Sequence, residues 1–198
     1  MVLRQIEAFG ENSQPLRLAD LPIPVPRRGE LLIRVAACGV CHTELDEIEG
    51  RARPPRLPLV LGHEIVGRVA EMGEAVRGYQ HGQRVGVGWI HHSTGAEDEN
   101  LSPEFVATGR DVDGGYAEFM TVPEDYAYPI PELFSDAEAA PLLCAGAIGY
   151  RALNLAHLKD GDRLGLTGFG GSAHLVLKLA RHLYPNSEVF VFARDPEI

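Results

Sequence analysis

The sequence predicts an α+β region followed by the beginning of an α/β region, and two changes of pattern along its 198 residues carry this prediction. From residue 1 to about 140, glycine and proline divide the chain into short runs rich in branched residues, which is typical of strands joined by turns. From about 141 to 198, alanine- and leucine-rich segments alternate with short apolar runs, which is typical of helices and parallel strands. We therefore expect two domains, residues 1–140 and 141–198.

Four runs in the first region have the composition of β-strands. Turn sequences such as PRRGE and VRGYQHGQR separate them. We expect these runs to form one β domain, and they are LLIRVAACGV, IVGRVAEM, RVGVGWI and AEFMTV.

The change of pattern begins with a helix start signal. Ser135 precedes Glu138 by three residues, which is the spacing of a capping box. The alanine- and leucine-rich run that follows, as far as Leu158, is expected to be helical despite Pro141. After a turn, the strand RLGLTG, the loop GFGGSA, the helix HLVLKLARHLY and the strand SEVFVFA form one β-loop-α-β unit.

Composition and charge exclude several classes of function. The chain is 45% hydrophobic and 23% charged, which is globular usage. Its net charge of -10 argues against a nucleic-acid partner, because phosphate backbones require clustered positive charge. No apolar run has the length of a signal peptide or a membrane span, so we expect a cytoplasmic protein with no membrane partner.

The stretch CGVCHTELD is compatible with more than one chemistry. Cys38 and Cys41 form a C-x-x-C pair, which occurs in redox sites, in zinc sites and, with a following histidine, at c-type haem attachment sites. An odd number of cysteines and no export signal disfavour disulfides and haem. Cys144, His63 and Glu64 are further groups that zinc accepts. Their separations are too long for a local zinc-finger rule, so spacing alone selects no ligand set.

The glycine-rich loop GFGGSA predicts a dinucleotide site. Gly168, Gly170 and Ala173 fit G-x-G-x-x-A, in which the glycines allow a tight turn and close approach of a pyrophosphate, and the last small residue allows helix–strand packing. Gly171 stands beside the second glycine at the start of the helix, where free N–H groups favour an anion. The loop follows a strand and precedes a helix, as such a site requires.

The residues after the last strand leave the coenzyme open between NAD and NADP. An acidic residue usually binds the ribose hydroxyls of NAD at this place. Here Ala193 is followed by Arg194, which suits a 2′-phosphate, and Asp195 comes one residue later. The pattern leans to NADP and does not exclude NAD.

Six motifs follow one another along the chain, namely GVCHTELD, LGHEIVGRV, GQRVGVGW, DVDGGYAEFMTVP, PLLCAGAIGYRAL and GFGGSAHLVLKLA. In this order they resemble the zinc-dependent medium-chain alcohol dehydrogenases, and the resemblance covers essentially the whole chain. It implies a GroES-like β-barrel domain over residues 1–140, followed by the first βαβ part of an incomplete Rossmann domain over residues 141–198.

The resemblance implies one catalytic zinc in this chain. Cys41, His63 and Cys144 would be its ligands, with Glu64 as a nearby or exchangeable fourth ligand. The zinc would act as a Lewis acid on the alcohol oxygen, and hydride would pass to the nicotinamide of NAD or NADP. The implied reaction interconverts a small alcohol with its aldehyde or ketone.

Three of the residues that follow Cys41 match positions that have roles in the family. Thr43 matches a hydroxyl that hydrogen-bonds the substrate oxygen and begins a proton relay. Asp46 stands where that relay often ends in histidine, and His42 matches a contact with the coenzyme phosphates. The alternatives are a capping threonine, an exposed acid and a solvent-facing histidine.

The remaining matches concern the pocket and the ligand histidine. Trp89 stands where a large side chain lines the alcohol pocket, with a rim or core tryptophan as the alternative. Glu44 stands where the family usually has an aspartate that orients a ligand histidine, here His63. Cys38 has no family role and is interpreted as a small buried residue.

Many members of the family also carry a structural zinc bound by four cysteines. The corresponding stretch, IHHSTGAEDENLSPEFVATGRDV, contains no cysteine, and Ser102 stands where the last ligand is expected. We therefore expect no structural zinc.

Length leaves two hypotheses open, because members of the family continue well beyond Ile198. The first is an alcohol dehydrogenase, for which the resemblance suggests homo-oligomers and whose activity needs the rest of the coenzyme domain. The second is a truncated, non-catalytic zinc-binding relative that acts as a structural or interaction module. The zinc-free quinone and enoyl reductases lack the GVC, GHE and LLC motifs together, so residue content disfavours them.

Overall fold

The computed structural model describes residues 1–194, and Asp195 lies outside this range. The chain forms two compact units that divide between Leu143 and Cys144. Each unit has its own hydrophobic core. Among the described residues, no helix is both long enough and apolar enough to cross a membrane.

A five-stranded antiparallel sheet forms the centre of the first unit, with the strand order β8-β3-β4-β5-β9. Two short antiparallel pairs, β1 with β2 and β6 with β7, accompany it. The strands are β1 Val2–Leu3, β2 Leu16–Arg17, β3 Glu30–Cys38, β4 Ile65–Met72, β5 Arg84–Val87, β6 Ile90–His92, β7 Val106–Ala107, β8 Phe119–Pro123 and β9 Ala127–Pro129.

The four strand runs of the sequence analysis are all present, and one of them is divided. RVGVGWI forms β5 and β6, because the chain leaves the sheet at Gly88. Branched residues on one face of the sheet form the main core of the unit, as their alternation in the sequence indicates. Its fully buried members include Leu31, Ile33, Ile65, Val69, Val85, Val87 and Val122.

A second cluster ties helix α1, His42–Glu49, to the N-terminal strand. Ile48 of this helix packs with Leu3, Leu59 and Leu61. The Leu3 and Leu59 backbones also exchange hydrogen bonds of 2.8 and 2.9 Å. The segment that leads into His63 is therefore fixed against α1.

A buried arginine fixes the end of the first unit. Arg84 is 5% exposed, and its Nε donates to Asp136 Oδ1 at 2.8 Å. Its two terminal nitrogens donate to the carbonyls of Pro131 and Phe134. Three hydrogen bonds from the Arg84 guanidinium thus hold this turn together.

The expectation of one continuous helix from Ser135 to Leu158 is wrong. The capping box is present, since Ser135 Oγ accepts from the Glu138 N–H and Glu138 Oε2 accepts from the Ser135 N–H. However, Pro141 supplies no N–H, and the chain tightens into a 3-10 turn over Ala140–Leu143. Cys144 then takes the non-helical angles φ -122 and ψ -76 before the next helix begins.

The second unit contains a parallel βαβ arrangement. Strands β10, Arg163–Thr167, and β11, Glu188–Phe192, pair in parallel across helix α4, Gly171–Leu183. Leu153, Leu166, Val176 and Ala180 form its core. The other helices are α2, Asp136–Ala139, in the first unit and α3, Ala145–Leu155, in the second.

We predict that Gly62→Ala destabilises the protein more than Gly78→Ala. Both glycines have positive φ, +99 and +82, which costs about 1 kcal/mol for alanine. A Cβ at residue 62 would also lie 2.7 Å from the Tyr116 ring and 2.8 Å from Cys38 Sγ, whereas nothing lies within 4 Å at residue 78. Urea unfolding should show a loss of about 3 kcal/mol for Gly62→Ala and about 1 for Gly78→Ala. Equal losses would contradict the close approach at residue 62.

Candidate metal centre

Cys41 begins helix α1 as its N-terminal cap. Its N–H donates to Glu44 Oε2 at 2.7 Å, so the carboxylate closes the first turn as in a capping box. The Cys41 Sγ lies 3.5 Å from Thr43 Oγ1. The start of the helix therefore presents a thiol and a hydroxyl side by side.

His63 is buried and oriented by Glu44. Both residues are 1% exposed, and His63 Nδ1 lies 2.7 Å from Glu44 Oε1. This contact, which the sequence analysis predicted, orients the His63 ring. Nε2 of His63 is buried without a hydrogen-bond partner among the described residues. In the neutral form of the ring, this buried nitrogen is the donor that a metal ion needs.

Glu64 brings a carboxylate to the same place. It is 3% exposed and packs so closely on Gly39 that a Cβ there would lie 1.9 Å from Glu64 Oε2. The ligand atoms of Cys41, His63 and Glu64 lie within 4.8 Å of one another. Thiol, imidazole and carboxylate form a donor set that suits zinc.

Cys144 follows directly after the part of the first unit that packs beside this cluster. Leu143 packs with Val66 of β4, and its carbonyl oxygen would lie 2.8 Å from a Cβ placed on Gly88, the neighbour of Trp89. One peptide bond joins Leu143 to Cys144, so their Cα atoms are about 3.8 Å apart. Cys144 also caps α3 at its N-terminus.

The electrostatics of the cluster favour a cation. Burial lowers the pKa of the His63 imidazole, but the adjacent Cys41 and Glu44 side chains raise it more strongly, to about 10. The surrounding groups thus stabilise positive charge at this position even without a metal. The residues therefore fit a bound zinc ion, which supplies that charge.

Cys38 has different surroundings from Cys41. Its Sγ lies behind Gly62 and Gly115, where added Cβ atoms would approach it to 2.8 and 2.9 Å. Burial raises the pKa of the Cys38 thiol to about 12, so it stays protonated near neutral pH. Because zinc binds the thiolate, Cys38 is a packing residue, as the sequence analysis expected.

The other candidate residues of CGVCHTELD lie in helix α1. The His42 side chain is 76% exposed, and its Nε2 lies 3.7 Å from Asp46 Oδ1. Asp46 is partly exposed and accepts from Arg51 Nε at 2.7 Å. Thr43 is partly buried beside Cys41. His42 and Asp46 therefore lie together near solvent, and Thr43 lies on the side of the donors.

Trp89 lies against the ligand histidine. Its ring meets the His63 ring edge-on at 4.9 Å between centroids and lies 6.1 Å from Phe105. The Arg110 guanidinium lies 5.8 Å from the Trp89 ring centroid. The tryptophan is thus a wall beside the cluster, and sequence reasoning did not single out its arginine neighbour.

The motif DVDGGYAEFMTVP holds the ligand segment through backbone contacts. The N–H groups of Gly114, Gly115 and Tyr116 donate to the carbonyls of residues 60, 62 and 61 at 2.8–2.9 Å. A Cβ on Gly114 would lie 2.1 Å from the Gly62 carbonyl oxygen. Only glycine permits so close an approach, which explains the motif.

Glu47 is a buried acid that sequence reasoning missed. It is 0% exposed, and both of its carboxylate oxygens are without a hydrogen-bond partner among the described residues. Burial, followed by the neighbouring Glu44 carboxylate, raises the pKa of Glu47 to about 8. The neighbouring apolar residue Ile48 marks the buried face of α1. This was the signal in the sequence from which the burial of Glu47 could have been predicted.

Apart from His42, the candidate coenzyme residues lie in the second unit. Gly168 has φ +88, and its N–H donates to the Phe192 carbonyl at 2.8 Å, which links the loop to β11. Gly170 caps α4, and nothing would lie within 4 Å of a Cβ on Gly170 or Gly171. The other two residues are Ala173, which packs against the core of the unit, and Arg194, which is exposed beyond β11.

Comparison with known proteins decides the family. The profile of the family described as Alcohol dehydrogenase GroES-like domain matches residues 27–132. The chain belongs to this alcohol dehydrogenase family. The match confirms the resemblance found in the sequence and the GroES-like fold of the first unit.

Relatives within the alcohol dehydrogenase family extend over both units. A probable alcohol dehydrogenase, AdhA, of Mycobacterium tuberculosis is 46% identical over 92% of this chain and 56% of its own length. An alcohol dehydrogenase of Geobacillus stearothermophilus is 37% identical over 86% of this chain and 52% of its own length. The chain thus spans about half the length of these curated relatives.

Solved alcohol dehydrogenase structures show the same architecture. A cinnamyl alcohol dehydrogenase of Sorghum bicolor superposes with a TM-score of 0.80 at 31% identity, over 89% of this chain and 54% of that one. A cobalt- and zinc-bound thermostable alcohol dehydrogenase of Pyrobaculum aerophilum superposes with a TM-score of 0.83 at 25% identity, over 92% of this chain and 57% of that one.

We predict that Glu44→Gln weakens zinc binding by about 10-fold or more, because the neutral amide no longer holds the Nδ1 proton of His63 as firmly. Glu49→Gln on the same helix is the matched control, since Glu49 pairs with the exposed Arg51. Competition with a chromophoric chelator measures both affinities. Equal affinities would show that packing alone orients His63.

We predict that Glu47→Gln makes the protein more stable above pH 8. The unfolded carboxyl ionises near 4.5, while the folded one keeps its proton up to about 8, so stability falls as the pH rises through this window. Glutamine removes this loss, which is on the order of 3 kcal/mol. Urea unfolding at several pH values should show a flatter profile than the wild type and the exposed control Glu104→Gln. Parallel profiles would contradict the burial of an ionisable Glu47.

Proposed function

We propose that this chain is the zinc-binding part and the start of the coenzyme domain of an NAD(P)-linked alcohol dehydrogenase that interconverts a small alcohol with its aldehyde or ketone. The observation that carries the proposal is the buried Nε2 of His63. It has no hydrogen-bond partner among the described residues and lies within a cluster of other metal donors.

The proposed ligands are Cys41, His63 and Cys144, with Glu64 as a nearby or exchangeable fourth ligand. Three protein ligands leave one position for the substrate oxygen. A bound zinc ion lowers the pKa of an alcohol oxygen and polarises a carbonyl group. Glu44 fixes the His63 ring through its Nδ1 contact, so the ligand nitrogen needs no reorientation.

Thr43, His42 and Asp46 provide a proposed route for the substrate proton. Thr43 Oγ1 lies beside the ligand thiol, where it can accept a proton from the hydroxyl group of a bound alcohol while it gives up its own proton. Asp46 and His42 lie together at the solvent side of α1 and can pass a proton to water. Arg51 holds the Asp46 carboxylate in place.

The loop that begins α4 is the proposed coenzyme site. Gly168 turns the chain, Gly170 and Gly171 leave the helix N-terminus open to a pyrophosphate, and Ala173 packs the helix on its sheet. Arg194 is placed to select a 2′-phosphate, and His42 would contact the phosphates. Bound NAD or NADP supplies the nicotinamide that accepts hydride from the carbinol carbon.

Partners and location follow from the proposed reaction. The substrate is a small alcohol or aldehyde, and Trp89 beside His63 limits the size of the pocket. Homo-oligomers and a cytoplasmic location stay predictions.

We predict that Cys41→Ser and Cys144→Ser each remove most of the one zinc ion per chain, whereas Cys38→Ala leaves the zinc content unchanged. Serine keeps the size of the ligand side chain and removes the thiolate, while Cys38 is a protonated packing residue. Elemental analysis of the purified chain measures the zinc. An equal loss from Cys38→Ala would contradict the ligand assignment.

The activity itself is tested on the full reading frame that contains this chain. Zinc-dependent formation of NADH or NADPH from short alcohols, lost in Cys41→Ser, is the expected result. A protein that holds zinc but gives no NAD(P)-linked oxidation would overturn the enzymatic proposal.

A further inference from the structure

The loop that carries Arg110 is fixed against the candidate metal centre. Gly109 has φ +79, and a Cβ there would lie 2.8 Å from the backbone nitrogen and oxygen of Gly62, the neighbour of His63. The Thr108 N–H donates to the Trp89 carbonyl at 2.9 Å. The backbone at residue 110 is therefore held by both the ligand segment and the pocket wall.

Asp111 fixes the orientation of the Arg110 side chain. Its Oδ2 accepts from the Ala107 N–H at 2.7 Å, which closes the loop. The same carboxylate accepts from Arg110 Nε at 3.1 Å and from Nη2 at 3.0 Å. This side-on pairing and the Trp89 ring together define the plane of the guanidinium.

Arg110 keeps hydrogen-bond donors that point away from Asp111. A guanidinium has five N–H donors, and the pairing with Asp111 occupies those along one edge. Nη1 has no hydrogen-bond partner among the described residues. The Arg110 side chain is 35% exposed, so part of it is accessible to a ligand. Two parallel N–H groups on such an edge match the two oxygens of a carboxylate.

The charge near Arg110 is set by few groups. Asp111 balances the guanidinium charge in part, and the Trp89 face stabilises it. Arg110 is thus a cation held beside the Trp89 ring.

We propose that Arg110 is a specificity-determining residue that binds a carboxylate group of the substrate. The favoured substrates are then alcohols or aldehydes with a carboxylate at the other end of the molecule. This inference rests on the proposed dehydrogenase function, because His63 defines the reacting end.

The first experiment compares kcat/KM for a series of ω-hydroxycarboxylates with that for unbranched primary alcohols of matched length, using the full-length protein. Wild type should prefer the hydroxycarboxylates at one chain length. Arg110→Met should lower kcat/KM for them by about 10- to 100-fold, mainly through KM, and change the neutral alcohols by less than about threefold. Arg110→Lys should be intermediate, because lysine keeps the charge without the bidentate edge. Arg163→Met is the control, since Arg163 forms an exposed ion pair with Glu188.

Two kinetic outcomes would overturn the inference. The first is a wild type with no preference for the carboxylate. The second is an equal loss for both substrate series in Arg110→Met, which would mean that Arg110 only supports Trp89.

The second experiment needs no turnover, because Trp89 is the single tryptophan of the chain. Hexanoate should change its fluorescence in a saturable way in wild type and in Arg163→Met, and not in Arg110→Met, while hexanol should show no such dependence on Arg110. If no alcohol is oxidised but this binding is found, the dehydrogenase proposal fails and the anion site stands. If hexanoate binds all three proteins equally, or none of them, the anion site is overturned.

Discussion

The backbone contact between residues 60–62 and 114–116 is the constraint on which the site depends. Three N–H groups of one segment donate to three carbonyls of the other. The glycines bring the two segments closer than residues with side chains would allow. This contact fixes Gly62, and with it the direction of His63. The loop that carries Arg110 approaches Gly62 through Gly109. His63 and the loop beside Trp89 are therefore positioned by the same backbone contacts.

Within this frame the fold buries more ionisable groups than a core tolerates without compensation. His63, Glu44, Glu47 and Glu64 are each 3% exposed or less. Burial of carboxylates is costly unless a cation or a proton balances them. One pair is balanced by the His63–Glu44 contact and Glu47 by its own proton, while the remaining donors suit a metal ion. The site therefore lacks positive charge, and this favours the binding of a cation.

The sequence could predict what is carried by local pattern, and little of what depends on long-range packing. The strands, the βαβ unit and the His63–Glu44 contact follow from alternation, a glycine-rich turn and an ordered set of motifs. The break at Cys144 depends on how Pro141 tightens the preceding turn, which a periodicity cannot show. Glu47 and Arg110 were missed because an acid on a helix and an arginine in a loop are usually solvated, and only tertiary packing brings them to the site.

The Asp111 carboxylate holds the loop of residues 107–111 in place whichever side chain stands at residue 110. It closes the loop through the Ala107 N–H, a bond that does not involve the side chain at residue 110. That position can therefore vary while the loop and the ligand segment keep their backbone. A substitution at residue 110 therefore changes the charge beside Trp89 without removing the hydrogen bond that closes the loop.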